Sequence, residues 1–191
     1  MDLINTIHRR RSAKKFLSQT PERNQIQTVM EAARFAHSIG NRQMLRYTVC
    51  LNKTKCREVA NFTNLVLSSD TPSQDTEEHL APSYIICSAP LGSAESIYAD
   101  IGSAFQNMAL AAMSEKLSMY YINQFSLENL EKLFPQEDNY QIMAIFAIGT
   151  AAESYVAYNA ESLQEQVENP GDSRIIHIPK LRASQITTWI E

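Results

Sequence analysis

A long apolar helix near the middle of the chain constrains the fold more than any other feature of the sequence. Residues 96–115 place apolar side chains at helical spacing, so one face of a helix of about five turns is hydrophobic. A helix with so wide an apolar face must be covered by other elements. The residues on that face are Ile97, Ile101, Ala104, Phe105, Met108 and Ala112. The sequence therefore predicts that this helix forms the centre of the fold.

Shorter strands and helices surround the central helix in the predicted order of elements. Period-two or continuous apolar runs predict strands at 45–51, 84–87, 117–122 and 142–148, and helical spacing predicts helices at 2–8, 53–67 and 126–134. A polar loop is predicted at 68–82 and a turn at 169–172, whereas residues 155–167 fit either a helix or an extended arm. A further helix is predicted to begin with Thr20 as N-cap and Pro21 at its first position, and to stop near Gly40. Because helices and strands interleave without a regular βαβ order, we expect a single α+β domain over residues 1–191.

Charge and composition argue against several function classes. The 191-residue chain is 44% hydrophobic and 20% charged, which is typical of a soluble globular protein. Its net charge of -4 argues against a surface built to bind nucleic acid. The chain has three cysteines and no C-x-x-C pair, so the sequence predicts neither a disulfide framework nor a zinc site. Cysteine usage of this kind, here at Cys50, Cys56 and Cys87, fits a protein of a reducing compartment. No segment resembles a signal peptide or a membrane span. We therefore expect a cytoplasmic protein without a metal site and without nucleic-acid or membrane partners.

A run of cations follows the first predicted helix and is a candidate binding site. Five of the seven residues at 9–15 are cationic. In an extended chain, alternate side chains face the same way, so Arg10, Ser12 and Lys14 project together. Arginine offers a bidentate fork to phosphate, serine a hydroxyl donor and lysine a point charge, and Arg11 can add its backbone N–H. The alternative is a basic run that only keeps the surface soluble or attracts nucleic acid.

Two further segments carry hydrogen-bonding groups. Lys180 and Arg182 form a second cationic pair, which either joins the first run on one phosphate or consists of unrelated surface charges. The loop before the first long strand is rich in amide and hydroxyl groups suited to a heteroaromatic ring, and its candidates are Ser38, Asn41 and Gln43. A helix C-cap followed by a turn is the alternative interpretation of that loop.

Taken in order, these segments resemble the nitroreductase family of flavoproteins. Residues 10–16 match the family's opening pattern Arg-Arg-Ser-x-Arg/Lys-x-Phe, and residues 37–45 resemble its Pro-Ser-x-x-Asn-x-Gln-Pro-Trp loop. Residues 100–112 are similar to its Asp-Ile-Gly-x-Ala-x-Gln-Asn-x-x-Leu-Ala-Ala helix, and Lys180 with Arg182 resembles its terminal Lys-x-Arg. The matches follow the family's order from the N-terminus nearly to the C-terminus.

The resemblance implies a fold, an assembly and a set of cofactor contacts. It implies an α+β sandwich around a central mixed β-sheet flanked by helices, assembled as an intertwined homodimer with FMN at each subunit interface. The residues that would hold the FMN phosphate, the ribityl chain and the N1/O2 side of the ring are Arg10, Arg11, Ser12, Lys14, Lys180 and Arg182. Those that would reach the flavin from the partner subunit or line the substrate side are Ser38, Asn41 and Gln43, and those nearest N5 are Asn123 and Gln124.

The activity that the resemblance implies is flavin-dependent oxidoreduction. NADH or NADPH would reduce FMN and leave as the oxidised nicotinamide. A nitroaromatic, quinone or related small-molecule acceptor would then bind where the nicotinamide had been and be reduced by the flavin. The alternative is a catalytically degenerate flavin-binding or interaction protein of the same fold, because Asn123 and Gln124 stand where the family has a glycine-containing turn. A nucleic-acid-binding module that uses the basic run is a third hypothesis, which the net charge disfavours.

Overall fold

The computed structural model describes residues 2–63, 79–162, 164–167 and 175–190. The end of the predicted helix 53–67, most of the predicted loop 68–82 and the predicted turn 169–172 lie outside the described residues. The chain divides into two units, Met1–Ala151 and Ala152–Glu191.

The first unit contains the elements that the sequence predicts before residue 150. They are α1 (Leu3–Arg9), α2 (Arg23–Arg34), β1 (Arg46–Cys50), α3 (Lys53–Asn61), β2 (Ser83–Pro90), α4 (Ile97–Ser114), β3 (Ser118–Ile122), α5 (Leu127–Leu133) and β4 (Tyr140–Gly149). The prediction of Thr20 as N-cap is wrong, because Glu22 occupies that position. Glu22 and Gln25 form a reciprocal capping box, in which the backbone N–H of Glu22 donates to Gln25 Oε1 at 2.9 Å. This box satisfies donors of the first turn, whereas the buried hydroxyl of Thr20 has no hydrogen-bond partner among the described residues.

Four strands form the sheet of the first unit in the order β1-β2-β4-β3. All three pairings between these strands are antiparallel. Parallel pairing occurs in this unit at the isolated bridge between Ser12 and Met119, which brings the cationic segment to the outer edge of β3. The expected α+β architecture, a sheet flanked by helices, is confirmed.

Helices cover both faces of this sheet. On one face, α2 and α4 pack against alternate residues of the central strands, including Ile85, Cys87 and Phe146. The intervening residues, such as Ile86 and Ile145, are buried on the opposite face, where α3 contacts β2 and α5 contacts β4. Strands covered on both faces become continuously apolar, which is why β2 and β4 contain long hydrophobic runs. The prediction that residues 96–115 form a central helix is confirmed by α4.

The second unit contains two strands and a short helix. Strand β5 (Ser154–Ala160) pairs in parallel with β6 (Ile175–Leu181), and α6 (Ala183–Ile186) follows. The sequence indicated no strand at 155–160, because its apolar residues do not alternate clearly there. Across the described residues of both units, no helix combines the length and hydrophobicity needed to cross a membrane.

Candidate functional site

The cationic segment after α1 is held against the sheet by backbone contacts. Ser12 forms the parallel bridge to β3, and Phe16 forms an antiparallel bridge to Ala151. The N–H of Phe16 also donates to the carbonyl of His79 at 3.1 Å. The side chains of Ala13 and Phe16 are fully buried. These backbone bridges and buried side chains therefore fix the segment against the sheet.

The polar residues of this segment form a cluster of donors. Arg10 Nη1 donates to Ser12 Oγ at 3.4 Å, so these side chains lie together as the alternating pattern predicts. Arg11 Nη1 donates to the carbonyl of Arg10 at 2.5 Å. Lys14 lies in a bend and is exposed, so the extended conformation ends before it. The structure thus brings Arg10, Arg11 and Ser12 into one cluster, which we call the N-terminal cation cluster.

The N-terminal cation cluster has no acidic neighbour among the described residues. The ion pairs of the described chain leave Arg10 and Arg11 without a carboxylate partner. Burial and the nearby charge of Arg10 lower the pKa of Arg11. Arg11 Nε is also buried and has no hydrogen-bond partner within the described part of the chain. A partly buried guanidinium beside a second cation is stabilised when an anion binds, so this donor set suits a phosphate.

The loop between α2 and β1 is closed by its own side chains. The N–H of Gln43 donates to Ser38 Oγ at 2.8 Å, and Gln43 Nε2 donates to Asn41 Oδ1 at 2.9 Å. A 3-10 turn covers Ile39–Asn41, and Gly40, Asn41 and Gln43 all have positive φ. The structure therefore brings the three predicted residues Ser38, Asn41 and Gln43 together. Among the described residues, their side chains form hydrogen bonds with one another and not with the N-terminal cation cluster.

Asp100 anchors this loop from the first turn of α4. The N–H of Ile39 donates to Asp100 Oδ1 at 2.9 Å, and the Asp100 side chain is buried. Burial, with the charges of Cys87 and Asp100 as smaller causes, raises the pKa of Tyr47. A cavity of about 280 Å³ borders the loop, and its polar lining includes Ser38, Gln43, Tyr47 and Asp100. Sequence analysis did not identify this anchoring role, because the two partners lie 61 residues apart.

Asn123 and Gln124 follow β3 and are exposed. The segment after them is paired with the end of α3: Thr63 bridges Phe125, and the N–H of Ser126 donates to the carbonyl of Phe62 at 2.8 Å. This pairing leaves a hollow of about 320 Å³. Its polar lining consists of Asn61, Thr63, Gln124, Ser126 and Asn129. The sequence contains no signal for Asn61, Thr63 and Asn129, since nothing local in it indicates that α3 and β3 end side by side.

The second cationic pair lies in the second unit. Lys180 is in β6 and exposed, and Arg182 directly follows β6. Arg182 Nη2 forms an ion pair with Glu161 Oε1 at 2.6 Å, and the two side chains are 49% and 75% exposed. An exposed ion pair of this kind contributes little stability, so Arg182 can exchange this partner for another anion at small cost.

Comparison with known proteins identifies the family. The model of the nitroreductase family matches residues 7–150, which include the N-terminal cation cluster, the loop and the central helix. The chain belongs to the nitroreductase family. Lys180 and Arg182 lie beyond the matched region.

Solved structures share the nitroreductase fold with this chain. A nitroreductase family protein from Clostridium difficile 630 is 19% identical, with a TM-score of 0.65 over 80% of this chain and 86% of that one. An FMN-dependent nitroreductase from Clostridium difficile R20291 is 19% identical, with a TM-score of 0.66 over 84% of this chain and 94% of that one. A nitroreductase with bound FMN from Bacteroides fragilis is 21% identical, with a TM-score of 0.63 over 90% of this chain and 97% of that one. No curated protein sequence matches this nitroreductase-family chain significantly.

The residues present fit the cofactor that the nitroreductase family implies. FMN carries a phosphate, which needs charge-assisted donors, and the N-terminal cation cluster offers two guanidinium groups and a hydroxyl. The unpartnered Nε of Arg11 is a donor that lacks an acceptor among the described residues. Within those residues, no group of three or more His, Cys, Asp or Glu side chains forms a candidate metal site. The donor set thus fits a phosphate-bearing organic cofactor.

Proposed function

We propose that this member of the nitroreductase family is an FMN-dependent oxidoreductase that uses NADH or NADPH to reduce nitroaromatic, quinone or related small-molecule acceptors. The observation that carries the proposal is the N-terminal cation cluster, in which Arg10, Arg11 and Ser12 lack a carboxylate partner among the described residues. The bound FMN of the Bacteroides fragilis relative supports the identity of the cofactor. A relative named as a putative NADH oxidase, from Clostridium acetobutylicum, supports the reductant.

Each part of the proposed site has a defined role. Arg10, Ser12 and Lys14 hold the phosphate, the ribityl chain and the N1/O2 side of the ring, and Arg11 adds its backbone N–H. Lys180 and Arg182 are proposed as further phosphate ligands from the resemblance alone. Bound FMN would supply the redox chemistry by taking a hydride from NADH or NADPH and passing electrons to the acceptor. The cations stabilise the negative charge of the reduced cofactor without needing an acid or a base.

We further propose that the active form is an intertwined homodimer. We assign Ser38, Asn41 and Gln43 to the partner subunit's cofactor from the resemblance, and their hydrogen bonds hold the three residues together in one loop. Strand β1 pairs with β2 alone among the described strands, so its second edge is open to another strand. The C-terminal segment supports the same assembly, because Trp189 is 83% exposed and Ile190 is 95% exposed in the single chain. Large apolar side chains this exposed are typical of a surface that a partner covers.

The remaining proposals concern domain organisation and location. We propose that residues 1–191 act as one FMN-binding domain and that the protein is cytoplasmic. The three cysteines support that location, because all are free and buried. Reduced thiols of this kind are typical of proteins in a reducing compartment.

A second candidate function is a flavin-binding protein of the same fold without turnover. The observation that favours it is the pair of side chains after β3, where Asn123 and Gln124 are both exposed and Gln124 lines the polar hollow. A glycine at such a position permits the closest approach of backbone to ligand, and a Cβ prevents it. The two candidates differ in whether the bound flavin is reduced.

The test is the visible absorbance spectrum of the purified protein after reconstitution with FMN, recorded before and after anaerobic addition of NADH or NADPH. Bleaching of protein-bound flavin is the expected result. Bound flavin that stays oxidised would favour the second candidate. Failure to bind FMN at all would refute both, and the chain would then share only the family's fold.

A further inference from the structure

Two thiols that are separate in the sequence lie against each other at the junction of β1 and α3. Cys50 is the last residue of β1, and Cys56 lies near the start of α3. Their Sγ atoms are 3.6 Å apart, and each residue is 4% exposed. The backbone holds this geometry: Asn52 caps α3 by accepting from the N–H of Lys55 at 3.0 Å, and its carbonyl accepts from the N–H of Cys56 at 2.9 Å. The two sulfurs are therefore held close by a capped helix start.

Contact between the two thiols favours ionisation of one of them. Either sulfur can donate in the contact. The hydrogen bond from Cys56 stabilises a thiolate at Cys50 and lowers the pKa of Cys50, while the pKa of Cys56 rises for the same reason. The positive charge of Lys55 also favours the Cys50 thiolate. Because the thiolate is the reactive form of cysteine, one member of the pair is a better nucleophile than an isolated buried thiol.

Tyr84 adds an unused donor beside the thiol pair. It is directly opposite Cys50 in the antiparallel register of β1 and β2, so the two side chains lie on the same face of the sheet. Its hydroxyl is buried and has no hydrogen-bond partner among the described residues. Burial first, and then the charges of Cys56 and Cys50, raise the pKa of Tyr84. The hydroxyl therefore stays protonated, and it is a buried donor without an acceptor on the same face of the sheet as Cys50.

A small pocket reaches the Cys56 member of the pair. Its volume is about 150 Å³, and its lining includes Lys53, Cys56 and Arg57. This volume accommodates a small hydroperoxide, since one water occupies about 30 Å³ in the liquid. The two cationic side chains favour the anionic products that form when an O–O bond is cleaved next to them. The pocket thus supplies access to Cys56, whose sulfur lies 3.6 Å from that of Cys50.

We infer that Cys50 and Cys56 form a redox modification site, which a hydroperoxide converts into an intramolecular disulfide. The thiolate of the pair attacks a peroxide oxygen, the O–O bond breaks, and the sulfur becomes a sulfenic acid. The leaving oxygen takes a proton and departs as an alcohol, or as water when the oxidant is hydrogen peroxide. The second thiol then attacks the sulfenic sulfur, forming the S–S bond, and its proton leaves with the hydroxyl as water. In sum, two thiols are oxidised and one hydroperoxide is reduced.

Cys87 provides an internal control. It is fully buried in β2 on the face that packs against α2 and α4, and burial raises the pKa of its thiol to about 12. It therefore lacks the thiolate character of the pair, and the same oxidant is expected to leave it reduced.

The test exposes the full-length protein, with any cofactor that it carries, to hydrogen peroxide and then counts free thiols after denaturation. The count is expected to fall from the three thiols of the sequence to one, and dithiothreitol is expected to restore all three. Peptide mass mapping is expected to find a link between Cys50 and Cys56 with Cys87 free. The variant Cys87→Ala should form the same link, whereas Cys50→Ala and Cys56→Ala should each form none.

Three results would overturn the inference. One is retention of all three thiols under conditions that fully oxidise free dithiothreitol. Another is a disulfide that includes Cys87, and the third is addition of oxygen to one sulfur without a link. Each of these is measured on the unmodified chain, so the outcome does not depend on whether a cysteine variant folds.

Discussion

Replacing Gly149 with alanine is expected to destabilise the first unit and to displace the N-terminal cation cluster. Gly149 ends β4, and a Cβ at this position would lie 2.7 Å from Pro82 Cδ, 2.8 Å from Pro82 Cγ and 3.2 Å from Phe16 Cδ1. Ordinary contacts between carbon atoms are about 3.5–4.0 Å, so the proline ring would have to retreat by roughly 1 Å. That ring belongs to the backbone directly before β2, where Ser83 Oγ donates to the carbonyl of Ile148 at 2.6 Å.

The magnitude follows from two opposing effects. Adding a methyl group to a filled site costs about 1–3 kcal/mol when neighbours must move, and here the neighbour is rigid. Replacing glycine also restricts the unfolded chain, which returns about 0.4–1 kcal/mol. We therefore expect Gly149→Ala to lower the free energy of unfolding by about 1–2 kcal/mol. With an m-value of about 2 kcal/mol/M, the urea midpoint falls by about 0.5–1 M. Displacement of Phe16 is also expected to weaken FMN binding.

The assay is urea unfolding followed by far-UV circular dichroism, at one fixed protein concentration. Gly102→Ala is the matched control, because Gly102 lies within α4 and an added Cβ there meets nothing within 4 Å. Helix propensity predicts that this variant gains about 1 kcal/mol, so the same chemical change should act with opposite sign at the two positions. A midpoint for Gly149→Ala equal to or above that of the unmodified protein would refute the packing argument.

Four other predictions test the site and the assembly. Arg10→Ala is expected to weaken FMN binding about 10- to 100-fold in a flavin fluorescence titration, because charge-assisted hydrogen bonds are lost. The control Arg9→Ala removes the same charge from the neighbouring residue and should have a much smaller effect. Equal effects of the two variants would show general electrostatic attraction instead of a specific contact. Asp100→Ala is expected to lower the free energy of unfolding by about 1–3 kcal/mol and to speed hydrogen exchange at the Ile39 amide, which donates to Asp100. Asp100→Asn keeps an acceptor oxygen, so it should lower the free energy of unfolding by less. Unchanged hydrogen exchange in the alanine variant would contradict the anchoring role. Gln124→Gly is expected to raise the rate of flavin reduction by NADH or NADPH in stopped-flow absorbance, and an unchanged rate would show that its side chain does not crowd the ring. Trp189 is the single tryptophan of the sequence, so its fluorescence emission should shift to longer wavelength when dilution separates a dimer. Emission that stays constant while the molecular mass in solution falls to that of one chain would argue against burial of the C-terminal segment in the dimer.

Most elements of the first unit were predictable because their patterns are local. The central helix was identified from apolar residues at helical spacing, and α4 spans Ile97–Ser114. The buried strands were identified from continuous apolar runs, which arise because helices cover both faces of the sheet. Both ends of α2 were misplaced. Its N-cap is Glu22 and not Thr20, because the Glu22–Gln25 contact closes the first turn, and the helix ends at Arg34 and not near Gly40.

The second unit was not predictable to the same degree. Its strands β5 and β6 are parallel, and 14 residues separate their ends. Parallel partners that are distant in sequence leave no turn signal, and partly exposed strands show no clear alternation. Residues 155–167 therefore fitted a helix and an arm equally well, although residues up to Ala160 form a strand.

The sequence by itself determined the candidate residues for an anion and for a heteroaromatic ring. Arg10 and Ser12 were predicted to project together, and they are in contact, because an extended backbone has a fixed alternation. The residue types of the loop that contains Ser38 and Gln43 likewise indicated hydrogen bonding before any geometry was known. Both inferences depend on neighbours in sequence.

Only the tertiary structure decided which distant groups meet. It brings Asp100 to the amide of Ile39, the end of α3 to the hollow beside Gln124, and Cys56 to Cys50 at an Sγ–Sγ distance of 3.6 Å. These contacts depend on how helices are placed on the sheet, and many placements satisfy the same local patterns. Packing of the shared core selects one of these placements. Residue types and spacing therefore indicate which chemistry is available, whereas the packed fold decides which groups lie close enough to take part in it.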